Sequence, residues 1–133
     1  HLWQAQKEGA GWASAITENA VMENSCKIGL VHAGSLPVRI THMERHNTTK
    51  EVMIAGEKEM VVLLAPPSSA DHPSVDDIGL FVLCPGDVVI NEGVWHSACY
   101  GIDGEVCYYF LYHDTSEDVI WSEVSGGVVE VIK

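Results

Sequence analysis

A run of alternating residues carries the first groups able to do chemistry. Glu44 and His46 lie two apart in V-R-I-T-H-M-E-R-H, and Glu51 follows after the polar stretch N-T-T-K. His96 closes a second run, G-D-V-V-I-N-E-G-V-W-H, which starts at Gly86. Imidazole nitrogen with carboxylate oxygen is the donor set that suits divalent zinc, nickel, manganese or iron. Glu44, His46, Glu51 and His96 are therefore the candidate metal ligands. Taken singly each residue has an ordinary explanation: a solvated ion pair for Glu44 and His46, a polar turn-end for Glu51, a core imidazole bonded to backbone for His96.

The elements that must position them are strands. Alternation from Val38 to His46 puts Ile40, His42, Glu44 and His46 on one face, and Arg39, Thr41, Met43 and Arg45 on the other. A tight turn then returns Glu51 beside Glu44 and His46 on a paired strand. Arg45 falls on the wrong face to meet a substrate here. His42 is expected at the mouth of the site, and His32, His72 and His113 as structural or surface residues. Trp95, Tyr108, Phe110 and Tyr112 are expected in the core or an interface.

The remaining segments are also short and strand-like. Lys27–His32, Glu51–Ile54, Glu59–Ala65, Ile78–Cys84, Val88–Asn91 and Val106–His113 alternate or run apolar between turns of Gly, Pro and Asp. A short helix is expected around Trp3–Lys7, interrupted by Gly9 and Gly11. Ser14–Asn24 reads as a strand or a helical turn, with Ala20, Val21 and Met22 in its second half. Pro66–Asp77 is a long surface loop, and the tail a closing hairpin of Val119–Val124 and Val128–Ile132. Such spacing predicts an all-β barrel or sandwich.

With 133 residues the chain is a single-domain length, able to bury about two-thirds of its unfolded surface. The formal charge of −12 lacks the basic footprint that nucleic acid or an anionic membrane requires, so neither is an expected partner. No apolar run approaches the ~20 residues of a membrane span. No signal peptide is evident, and the cytoplasm is the expected compartment. The cysteines, Cys26, Cys84, Cys99 and Cys107, have no C-x-x-C spacing and are expected as buried reduced thiols.

The two runs resemble the two motifs of the cupin superfamily. The first reads Glu44-Arg45-His46, four residues, Glu51, then Gly56, with Glu44 where the motif has its first histidine. The second runs from Gly86 to His96, with Asn91 where proline is usual. The wording M-E-R-H at 43–46, V-V-L-L-A-P at 61–66 and G-V-W-H at 93–96 is similar to the ureidoglycolate lyase family, over about Val38 to Asp114. That family usually has glutamine in place of Glu51 and often histidine in place of Asn91. Glu51 moves the site toward the metal-binding cupin pattern.

The resemblance implies one cupin-type domain, a double-stranded β-helix or jelly roll. Residues 1–37 would be N-terminal strands and arm, 38–114 the barrel core, and 115–133 the closing hairpin. It implies release of urea and glyoxylate from ureidoglycolate, with a base taking the hydroxyl proton as the C–N bond breaks. His46, His96 and Glu44 are the catalytic candidates, with a divalent metal as the only cofactor and a small polar carboxylate as substrate. A homodimer paired through edge strands is expected. The rivals are a metal-dependent cupin of another class, an isomerase or dioxygenase, and a non-catalytic cupin that binds a small molecule.

Overall fold

The computed structural model describes residues 3–18, 26–68, 70–113 and 119–133. In chain order its strands are β1 (Trp3–Gly9), β2 (Trp12–Thr17), β3 (Cys26–Ala33), β4 (Val38–Ile40), β5 (His42–His46), β6 (Glu51–Ile54) and β7 (Met60–Ala65). There follow β8 (Gly79–Leu83), β9 (Val88–Asn91), β10 (Trp95–His96), β11 (Tyr100–Gly101), β12 (Val106–His113), β13 (Val119–Glu123) and β14 (Val129–Val131). Among the described residues the sole helical piece is a 3₁₀ turn, Val75–Asp77, capped by the Ser74 hydroxyl. No helix among them is long and apolar enough to cross a membrane.

Two sheets face each other. One runs β1-β2-β3-β12-β6-β9; the other runs β11-β7-β10-β5-β13, with β8 added on β7. A small third sheet pairs β14 with β4. In β12, Val106, Tyr108 and Phe110 are buried while Cys107 and Tyr109 are exposed, the two-residue period of a strand with one face on the core. β7 is buried almost throughout, because it lies between β8 on one side and β10 and β11 on the other. Met43, Met53, Met60, Val62 and Trp95 are the large side chains at the centre.

Several expectations are corrected. Trp3–Lys7 is not helical: β1 pairs antiparallel with β2, and Gly11 (φ 77°) makes the hairpin turn that had read as a helix break. Val38–His46 is not one strand. Its ladder breaks at Thr41, whose carbonyl accepts Val124 N–H at 2.8 Å, so β4 joins β14 and β5 joins β13. The tail is therefore no hairpin in itself. β13 and β14 pair with different partners, and Ser125 turns away to bond Pro73 and Val75. Of the thiols only Cys99 is buried; Cys84 and Cys107 are exposed and Cys26 is intermediate, all of them free. Residues 19–25 and 114–118, including Ala20, Val21 and Met22, lie outside the described residues.

Gly101 holds this arrangement at one end. Its N–H donates to Gly34 and its carbonyl accepts from Leu36, while a Cβ there would run into the Gly104 carbonyl oxygen. Backbone cannot yield as a side chain does. Gly101→Ala is expected to cost about 3 kcal/mol. In a thermal melt that reads as a Tm lower by roughly 10 °C.

Candidate active site

The strand order explains how distant residues meet. β5 and β10 are neighbours, with His96 directly opposite Glu44, so those two side chains and that of His46 leave the sheet on one face. β6 brings Glu51 from the facing sheet. Between β9 and β10 the chain bends at Gly93 (φ 69°), whose N–H donates to the His46 carbonyl at 2.6 Å. That bond fixes the end of β5 against the approach to His96. The result is a cavity of about 100 Å³ lined by Glu44, His46, Glu51 and His96, with Trp12 and Trp121 in its walls.

Its floor is compact, with His46, Glu51 and His96 all buried. His46 Nε2 donates to Glu51 Oε2 at 2.8 Å, and His96 Nε2 lies 4.0 Å from Glu51 Oε1. Glu44 Oε1 is 4.0 Å from His46 Nε2 and 3.7 Å from the Lys7 ammonium. The two imidazoles stack nearly parallel with centroids 5.7 Å apart. One donor atom each from Glu44, His46 and His96 lies within 4.8 Å of the others. His96 Nδ1 sets against the Ser97 carbonyl at 3.4 Å, which leaves the ring's other nitrogen to face the cavity. That atom, His96 Nε2, is buried without a hydrogen-bond partner among the described residues.

Burial alone would raise the Glu51 carboxyl. The charge of His96, the hydrogen bond and charge of His46 and the charge of Lys7 together outweigh it, holding the group below its ordinary value of 4.5. Glu51 is thus an anion at neutral pH, poised between two imidazoles. The nearby Cys99 thiol goes the other way: burial pushes it up to about 12, so it is no nucleophile.

Residues 10–125 match the model of the ureidoglycolate lyase family. The chain belongs to that family. The match is wider than Val38–Asp114 and takes in β2 and β3, which wall the cavity. Among curated proteins none matches the chain in sequence. Solved structures agree on the fold. A cupin-2 domain from Rhodospirillum rubrum is 12% identical with a TM-score of 0.60, covering 88% of this chain and 72% of that one. KdgF from Halomonas sp. is 12% identical with a TM-score of 0.57, covering 86% and 88%. Peruvianin-I, a cysteine peptidase from Thevetia peruviana latex, is 15% identical with a TM-score of 0.58, covering 82% and 65%. The chain spans at most 65% of the length of the first structures it matches. The fold is a cupin-type β-barrel.

Within this lyase-family barrel, Arg45 points away from the cavity. It is buried, its guanidinium 4.5 Å from the Trp95 ring centroid and its Nη1 donating to the Ser68 carbonyl. His42 stacks on Trp121 of the cavity wall, with ring centroids 5.7 Å apart, and is not itself among the residues lining the cavity. His32, His72 and His113 are exposed. Asn91, where the family often has histidine, lies opposite Glu51 in the β6–β9 ladder, buried, with its Nδ2 unpartnered among the described residues. Tyr108, Phe110 and Tyr112 pack in the core yet also reach the cavity wall. Sequence reasoning missed Lys7, Trp12 and Trp121. The alternation around Trp12 was a usable signal, whereas Trp121 is placed opposite Glu44 only by the register of β13 on β5.

Proposed function

We propose that the protein is a ureidoglycolate lyase-type enzyme that releases urea and glyoxylate. The observation carrying this reading is the unpartnered Nε2 of His96, buried beside a carboxylate and a second imidazole at the floor of a small cavity, in a chain of that family. In the reaction the hydroxyl proton leaves as the C–O bond becomes C=O, the C–N bond breaks, and urea nitrogen takes up a proton. His96 Nε2 has the free lone pair to accept the first proton. His46, hydrogen-bonded to anionic Glu51, is kept positioned to hand one to the departing nitrogen. Glu44 caps the cluster from the rim. The cavity is well below the ~300 Å³ at which drug-sized pockets begin, which suits a small polar carboxylate.

The donor set also fits a divalent cation. Two imidazoles and the Glu44 carboxylate converge, with Glu51 bonded to His46 beside them, and an orphaned buried nitrogen is what such an ion would satisfy. Glu44, His46, Glu51 and His96 would hold it, and it would supply Lewis-acid stabilisation of developing negative charge. Because those groups must be deprotonated to bind metal, affinity for manganese or zinc is expected to fall about tenfold or more between pH 7.5 and 5.5. Equilibrium dialysis checks this; pH-independent uptake would place the ion elsewhere. Glu51, acidic where the family usually has glutamine, favours a second reading, a metal-dependent cupin of another class.

The partner we propose is a second copy. Among the described residues β8 is paired with β7 alone, and its Leu80, Phe81 and Val82 are each about half exposed on an edge. Free cysteines support a reducing, cytoplasmic setting. The deciding experiment for the activity follows glyoxylate from ureidoglycolate, with His46→Ala and His96→Ala as controls. Release by the wild type at only the spontaneous rate would end the proposal.

A further inference from the structure

β1 contains a register shift whose effect falls on one side chain. Ala5 stands opposite Ala15, yet Lys7 stands opposite Ser14. A regular ladder would set Gln6 opposite Ser14 and turn Lys7 to the other face, so the extra residue re-aims the lysine. It now shares a face with Trp12 and Ser14, and all three line the cavity. Among the described residues lining that cavity, Lys7 is the sole lysine or arginine. Residue 7 also lies ahead of the family match, which begins at residue 10.

We infer that Lys7 is the residue by which this site selects a carboxylate-bearing ligand. The inference rests on the proposed reading of the substrate as a small carboxylate. An anion entering the cavity meets Glu44 and Glu51, and both imidazoles on the floor are already turned toward Glu51. Something must offset that repulsion at the mouth. Lys7 reaches Glu44 at 3.7 Å, longer than a hydrogen bond, and its side chain is half exposed, so the pair is cheap to share with a second carboxylate. Arg45, the other cation near the site, is committed to Trp95 and Ser68 on the opposite face. Lys7 and His96 line the same cavity, so a ligand held at Lys7 by its carboxylate shares that space with His96.

Glycolate and its uncharged counterpart glycolamide serve as probes, titrated calorimetrically into the protein as purified. Wild type is expected to prefer glycolate. Lys7→Met is expected to weaken glycolate about tenfold and leave glycolamide unmoved, with Lys7→Arg recovering most of the loss. With ureidoglycolate, the Lys7→Met loss falls mainly on KM. Should the preference collapse in Lys7→Met while wild type shows no ureidoglycolate turnover, the inference stands and the lyase reading falls. An unchanged glycolate preference in Lys7→Met, or no preference in wild type, overturns the inference whatever the turnover. Equal melting temperatures for wild type and Lys7→Met exclude a folding artefact.

Discussion

His96→Ala is expected to lower glyoxylate release from ureidoglycolate about a thousandfold or more, with the fold retained. The side chain has few structural duties. Among the described residues its ring makes one hydrogen bond, a long contact from Nδ1 to the neighbouring Ser97 carbonyl, and its Nε2 has no partner. The strand that carries it is held independently, by Trp95 opposite Ala65 and by Ser97 N–H on the Leu63 carbonyl. Little structural duty and a buried nitrogen without a partner among the described residues are what support the proposed role of His96 in the chemistry. His46→Ala should lose as much activity but more stability, since it also breaks the 2.8 Å bond to Glu51. If an ion is held, both variants should also lose it in equilibrium dialysis. Rates for His96→Ala within tenfold of wild type would remove His96 from the chemistry.

The fold was legible because its signals are local and repeat every two residues. Glu44 and His46 could be placed on one face from their spacing alone, and the turn from His46 to Glu51 is short enough to predict the paired strand. His96 required more, since nothing local says that β10 lies beside β5. Only the motif resemblance linked them. What failed in the reading depended on pairings distant in sequence. The glycines at 9 and 11 look alike as helix breaks and as hairpin turns, and the choice is made by β2 lying ready to pair. The tail looks like a hairpin because its two strands flank Ser125-Gly126-Gly127, but β13 pairs with β5 over five residues and β14 with β4 over three. A bulge at residue 6 has no sequence signature, so Lys7 could not be foreseen in the cavity. Nor could the burial of Arg45, whose guanidinium meets Trp95 and the Ser68 carbonyl while its Nε has no partner among the described residues.

Glu51→Leu in chelator-treated protein is expected to lower stability by about 2–3 kcal/mol at neutral pH, the scale of a lost charged hydrogen bond in the interior. Glu51 is buried, bonded to His46 and within 4.0 Å of His96, so its removal strands two imidazoles in an apolar cavity. The pH dependence follows from the depressed Glu51 carboxyl. A group whose folded value lies under its ordinary 4.5 contributes fully above that value and loses its contribution as the pH falls through the folded one. The gap between wild type and Glu51→Leu should therefore be flat above about pH 5 and narrow as the pH falls below about 4.5. Urea denaturation at a series of pH values measures it. A gap that widened on acidification would mean that Glu51 is protonated in the folded protein, and the anionic floor on which proton transfer and cation binding both depend would be lost. Glu51→Gln separates charge from packing: it keeps the shape, so a stability near wild type with activity gone would locate the role of Glu51 in its negative charge beside His46 and His96.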